Sequence, residues 1–479
     1  LKHHNIAVTI SRVDFILRIA LFLVNIYAAD LNVSDAVHGD DGYFEMSESI
    51  LDGHGLAWEP GSPLFTANPL RPPLYPLMLA FLLFISGGSY LFTILIQMVF
   101  GSFIPVIAFY ILRNLLSVKK YAYGIALLLA LEPFTALLSV IFYTETFFIL
   151  LFFLFLLYLF KYIDSGVRKY IVLSGLFMVL ATLIKPTIQY FPIIIPLILL
   201  FHFRKKLSKK IFIDMAMFVL VWCAFMAPVF YLNYKTFDTI AISAQPEFNL
   251  YVYLVPTVRA IHNDTTFGDE LRGFLEEEES SEFDIHPGNA NEYRDRAVEE
   301  LIKYPKEFVV SAFISIYTFF SHDALLSVFR HAGVYIDLYH LKSSVLVLFT
   351  SPKDFISSVL YVVKGPGALI VLARLFWILT TLFAFLGLYT YTKEKRWNIK
   401  SFLAFFMVFY FGLTTMINGL GVNARFRVPV NIFIFVFALS GLMLIREYLL
   451  RKGFLNKNEI IEKLNKSLIP HEKKILDIR

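Results

Sequence analysis

Ten stretches of this chain are apolar over a length that crosses a bilayer, roughly 17 to 25 residues, and that fact limits the fold more than any other. They lie near 9–29, 90–112, 121–140, 145–162, 169–185, 187–203, 211–233, 368–392, 401–419 and 427–448. Inside lipid no water is present to satisfy backbone N–H and C=O groups, so each run must close its own hydrogen bonds as a helix. The expected fold is an all-α polytopic membrane protein of about 10–12 transmembrane helices. Composition agrees, because 57% of the 479 residues are hydrophobic and only 17% are charged, a balance no ordinary soluble domain shows. The first run, 9–29, reads as a retained span, since no small-residue cleavage site follows it before the Asp35–Asp41 region.

The formal net charge of +5 is not spread as a nucleic-acid face would be, so no nucleic-acid partner is expected. Basic clusters instead follow apolar runs, as in RNLLSVKK, KYIDSGVRK, FRKKLSKK, KEKRW and the Lys-rich tail. The positive-inside rule places the connections 113–120, 161–169, 204–210, 393–400 and the tail in the cytoplasm. Both termini are then inside, and 30–89 and 235–306 are outside. The apolar stretch from Pro73 to Ser86 is short enough to favour an interfacial or re-entrant helix. Residues 307–322 and 343–363 are marginal, and both must cross or both stay outside, which is why the count is ten or twelve. Four regions follow: 1–234, an N-terminal membrane module with a catalytic first outer loop at 30–89; 235–306, an acidic outer loop; 307–450, the C-terminal membrane helices; and 451–479, a basic cytoplasmic tail. One cysteine, Cys223, allows no intramolecular disulfide.

Several charged residues stand where the bilayer makes charge expensive. The first outer loop contains GDDGYFEMSESILDGHG, in which Asp40 and Asp41 precede an amphipathic segment expected to lie as a helix in the interface. One aspartate there suits an ordinary N-cap, but a cap does not need two. The second can face a cavity as a general base, which requires an ionised carboxylate within hydrogen-bond reach of the proton it takes. NPLRPPLYP follows, with Arg71 beside prolines that stiffen the chain. SVIFYTETFF puts Glu145 at the outer end of a span, where a carboxylate costs about 2 to 3 kcal/mol unless it finds a partner or water; Glu132 in LLALEPF competes with it. Lys185 in TLIKPT lies where one span ends, and NARFRVP sets Arg425 and Arg427 at the outer end of the last. Outer arginines run against the positive-inside bias, and their planar forks match phosphate oxygens.

Other chemistries are weakly signalled. There is no HExxH and no paired-cysteine spacing, and His38, His54, His322 and His331 read as loop residues rather than zinc ligands. A Mg²⁺ or Mn²⁺ ion held by Asp40, Asp41 and Glu145 suits hard oxygen ligands and stays open. No P-loop or Rossmann fingerprint points to a nucleotide donor.

Taken in order, GDD..Y, LDGHG, RPPLYP, YTETFF, TLIKPT, APVFYLNYKTFDTIAIS and NARFRVPV resemble the polytopic glycosyltransferases of the GT-C class. The likeness is to the family 39-like bacterial members related to protein mannosyltransferases and the aminoarabinose transferase of lipid A. It runs over about residues 9 to 450. The resemblance implies a helical bundle with interfacial helices around a cavity at the outer leaflet of the bacterial plasma membrane. It implies transfer of a sugar, with inversion, from a polyprenyl-phosphate carrier to a lipid, glycan or protein acceptor. The base maps to Asp40 or Asp41 and a second acid to Glu145. Lys185, Arg425, Arg427 and Arg71 are expected to hold the donor phosphate, and Tyr43, Tyr75 and His54 to line the cavity. A transporter or flippase of a lipid-linked or anionic substrate is the main alternative, with Glu145 and Lys185 as coupling charges; a lipid-carrier glycan polymerase or ligase is another. The lack of internal repeats and the long outer loop weigh against the transporter.

Overall fold

The computed structural model describes residues 2–28, 30–39, 41–56, 71–116, 119–279, 285–336, 347, 351–363, 365, 367–420 and 423–452. Asp40 and nearly all of the basic tail lie outside the described residues. Among the described residues the regular elements are all helices: the chain is an all-α polytopic membrane protein.

In chain order the first helices are α1 (Lys2–Ala28), α2 (Val33–Val37), α3 (Tyr43–Leu51), α4 (Leu74–Ile85), α5 (Tyr90–Ser102), α6 (Ile104–Leu115), α7 (Lys119–Ala130) and α8 (Pro133–Leu137). Four longer helices follow, α9 (Glu145–Ser165), α10 (Arg168–Ile184), α11 (Phe191–Phe203) and α12 (Lys209–Phe237). The acidic loop carries α13 (Gln245–Phe248), α14 (Val255–His262), α15 (Phe267–Glu279) and α16 (Ala290–Lys303). The remainder is α17 (Pro305–Ser321), α18 (Leu325–His331), α19 (Pro352–Val362), α20 (Gly367–Lys393), α21 (Ile399–Thr415), α22 (Asn423–Arg427) and α23 (Asn431–Arg451).

Among the described residues, seven helical segments are long and apolar enough to cross a membrane, or eight if α17 and α18, bent by 67°, count as one. The ten runs read from the sequence fall to seven for three local reasons. Run 121–140 breaks at Glu132, whose side chain accepts from the backbone N–H groups of Phe134 and Thr135 and so starts a new helix at Pro133. Run 169–185 yields a 17-residue helix that Lys185, in extended conformation, and Pro186 terminate. Run 9–29 forms the 27-residue α1 but carries Arg12, Asp14 and Arg18. The last two close a buried ion pair at 2.5 Å, one helical turn apart, so the bundle interior receives little net charge from them.

Helix α9 is apolar on every side and is accordingly the buried centre of the bundle. Phe148 stacks on Phe152, Phe152 meets Phe411 of α21 edge-on, and Phe155 meets Phe191 of α11. Helices α12 and α20 are the opposite case, with most of their apolar surface facing outward where lipid would lie. α20 and α23 pack backbone to backbone. A Cβ on Gly441 would stand 2.9 Å from the carbonyl carbon of Phe383 and 3.0 Å from the nitrogen of Gly387, so only glycine permits the approach.

The two ends of the bundle differ. At one, Lys400 pairs with Asp164 at 2.5 Å, Arg168 with Asp214 at 2.6 Å, and Lys210 donates to the Gly166 carbonyl. Three of the basic connections, 161–169, 204–210 and 393–400, therefore meet at one pole. Since α9 and α10 run from this pole to Glu145 and Lys185, those two residues mark the other. There α13–α16 build their own small core, in which Tyr251 meets Phe274 and Tyr293 edge-on and Arg259 pairs with Glu277 and Glu300.

Candidate active site

Four charged side chains from widely separated parts of the chain converge at the pole away from the basic connections. Glu145 opens α9 and is 1% exposed. Lys185, held in extended backbone at the end of α10, donates from Nζ to Glu145 Oε1 at 2.8 Å. Arg425, on the short helix α22, donates from Nε to the same oxygen at 2.9 Å and from Nη2 to Glu145 Oε2 at 3.0 Å. Its outer edge grips Asp41, with Nη2 to Oδ2 at 2.6 Å and Nη1 to Oδ1 at 3.3 Å. The result is two carboxylates and two cations in one ion network, with Arg425 as the bridge. Glu145 forms its floor, while the Asp41, Arg425 and Lys185 side chains keep 18%, 17% and 16% of their surface open. A ligand can therefore reach three of the four.

Local structure explains why Asp41 is free for this role. The residue that caps α3 is Gly42, at φ 72°, and no side chain makes a cap hydrogen bond there. A left-handed backbone at Gly42 favours glycine, and it lets the chain turn into α3 while Asp41 points to Arg425. The N-cap reading of the aspartate pair thus does not apply to Asp41. Burial pushes the Asp41 carboxyl up, but the Arg425 and Arg71 charges and the Arg425 hydrogen bond outweigh it and hold it below its ordinary value of 3.8, against a small upward push from Glu145.

The other anticipated residues divide. Arg71 lies beside this network, its guanidinium 5.5 Å from the Tyr43 ring and 5.9 Å from Phe248, and it donates to Gln245 Oε1. Through that contact the helices of the acidic loop touch the first loop. Tyr43 is buried, edge-on to Tyr75 at 5.3 Å, and burial raises its phenol well above the ordinary value, so it stays neutral. Tyr75 is fully enclosed; its hydroxyl donates to Gln97, which in turn donates to the Ile141 carbonyl at 2.6 Å. Tyr75 thus braces the loop before Glu145 and lines no open space. His54 sits exposed on the turn after α3. Glu132 is spent on capping α8.

Arg427 is turned into the bundle. It lies 3.5 Å over the Trp377 ring and donates to the Phe319 carbonyl and to Asn431, with no carboxylate of the network among its partners. Side chains missed in the sequence are Tyr143, whose ring lies 4.4 Å under the Arg425 guanidinium, and the acidic-loop pair Gln245 and Phe248. Tyr143 stands inside the YTETFF motif, so its position was a usable signal; nothing around Gln245 marked it.

No group of three or more His, Cys, Asp or Glu side chains among the described residues is placed to hold a metal ion. Asp41 and Glu145, two of the three ligands expected for one, are bonded instead by Arg425 and Lys185.

No curated protein matches the chain. Residues 70–231 match the family described as dolichyl-phosphate-mannose-protein mannosyltransferase, a stretch that holds Arg71, Tyr75, Glu145 and Lys185 while Asp41 and Arg425 fall outside it. Over that third of its length the chain is similar to a family of GT-C glycosyltransferases, which supports a glycosyltransferase of the GT-C type in broad terms.

Proposed function

We propose that this protein moves a sugar, with inversion, from a polyprenyl-phosphate carrier to an acceptor on the extracytoplasmic side of a bacterial plasma membrane, and that Asp41 is the base. The observation that carries this reading is Arg425 bridging Asp41 and Glu145 beside Lys185. A lipid phosphate is a stable leaving group, so the enzyme needs no nucleotide; it needs a carboxylate for the acceptor and cations for the departing anion. The network supplies both within one guanidinium's span. The basic connections at the opposite pole support an outward-facing site.

In the proposed step, donor phosphate takes over Arg425 and Lys185, and Asp41 is released from its pairing. The Asp41 carboxylate accepts the proton of an acceptor hydroxyl or amine while that atom bonds to the anomeric carbon from the face opposite the phosphate. The carbon–oxygen bond to phosphate breaks, and its electron pair stays on the phosphate oxygen. Glu145 keeps both cations oriented. The protein in liposomes, offered a panel of polyprenyl-phosphate sugars and the matching nucleotide sugars, tests this: at least one lipid-linked sugar should be consumed and no nucleotide sugar. Consumption of nucleotide sugars alone, or of neither class, overturns it.

A further inference from the structure

At the basic pole, remote from the ion network, the ends of α11 and α21 enclose a cleft of about 890 Å³. Its walls are apolar, with Leu197, Phe201 and Phe402 all well exposed. Its rim is Arg204, Lys205 and Lys206, in one tight turn at the end of α11.

Three other cations at this pole are already used. Lys400 is paired with Asp164, Arg168 with Asp214, and Lys210 with the Gly166 carbonyl. The three on the rim pair with no carboxylate among the described residues, and Arg204 is held only against the ring and carbonyl of Phe201. Across from them Trp397 is fixed by an indole N–H bond to Thr392, as suits an aromatic anchor at the membrane interface. The N-terminus of α21, capped by Asn398, opens on the same cleft and adds a positive dipole end.

We infer that this cleft binds an anionic glycerophospholipid, with its phosphate on Arg204, Lys205 and Lys206 and an acyl chain between Leu197, Phe201 and Phe402. The three positive charges suit an anionic phosphate head group, and the exposed apolar walls suit a hydrocarbon chain, which free phosphate lacks. A polyprenyl-phosphate donor is disfavoured as the occupant, because its head group here would stand at the wrong pole for Asp41. Juxtamembrane cations and anionic head groups attract one another on this scale, at about fivefold in affinity for each cation near the surface.

The test uses the full chain in nanodiscs of phosphatidylcholine doped with spin-labelled phosphatidylglycerol. Wild type is expected to immobilise phosphatidylglycerol at least about tenfold more strongly than labelled phosphatidylcholine. The triple variant Arg204→Gln, Lys205→Gln, Lys206→Gln should lose most of that preference, while Lys393→Gln should keep it. Equal preference in wild type and triple variant overturns the inference, as does displacement of the label by inorganic phosphate, or by polyprenyl phosphate but not by unlabelled phosphatidylglycerol. Thermal unfolding of each variant in the same discs shows that the fold survives. Neither measurement depends on sugar transfer, so failure here and failure of the proposed activity are distinguishable.

Discussion

Replacing Arg425 by glutamine removes the side chain that joins Asp41 to Glu145, and what remains sets the size of the effect. Four donated hydrogen bonds disappear, and the network of two carboxylates and two cations keeps one cation. Stripping a buried ion of its partner costs roughly 3 to 5 kcal/mol. The lower end applies, because Glu145 retains Lys185 and Asp41 is partly open to water. In the reaction, the departing phosphate loses one of its cations; loss of one preorganised donor slows comparable reactions by about 10² to 10³. The pH profile carries a second, independent sign. In the wild type the Asp41 carboxyl lies below 3.8, so it stays ionised at all working pH. Without Arg425 its burial is opposed mainly by Arg71, its carboxyl rises, and the acid limb of the rate moves to higher pH. The linked stability changes sign with it. The lowered wild-type carboxyl contributes stability above 3.8, lost only as pH falls through its folded value. A raised carboxyl in the variant contributes only at low pH, and that contribution fades as pH rises through the new value. Initial transfer rates from pH 4 to 9 at donor well below saturation, which report the free enzyme in which Arg425 still pairs with Asp41, with thermal unfolding over the same range, measure both. A rate within tenfold of wild type, with an unmoved acid limb, would show that Arg425 neither holds the donor nor sets the charge of Asp41.

Two further substitutions separate packing from chemistry. Gly441→Val drives a side chain into the Phe383 backbone of α20; overpacking costs about 1 to 3 kcal/mol or more, and the variant should unfold at clearly lower temperature in detergent, with transfer by the surviving fraction unchanged. Arg427→Gln removes a buried cation from Trp377 and Phe319 and should lower thermal stability while leaving KM for donor within threefold; a tenfold rise in KM with unchanged stability would place Arg427 on the donor instead.

The site was legible where charge stood against expectation. Glu145 and Arg425 both occupy ends of apolar runs away from the basic connections, and their cost there implied partners. Which arginine of NARFRVP faces the network was not legible, because residues two apart on a helix point to nearly opposite sides; Arg425 meets Asp41 and Arg427 meets Trp377. The break at Glu132–Pro133 was written in the capping chemistry yet hidden by the apolarity of the whole run. The bridging of Asp41, Glu145 and Arg425 could not be read from spacing, since 280 residues separate Glu145 from Arg425 and only the packing of α9 against its neighbours brings them together. Gly42 is the converse: one residue, by taking the left-handed cap position, leaves its neighbour Asp41 to pair with Arg425.

In the proposed reaction Asp41 takes the acceptor's proton while Arg425 and Lys185 hold the donor. Donor affinity and single-turnover transfer measured side by side in Asp41→Asn test it most directly. Donor binding within threefold of wild type, with transfer lowered at least about 100-fold, is expected; transfer near the wild-type rate with donor bound would mean that Asp41 is not the base.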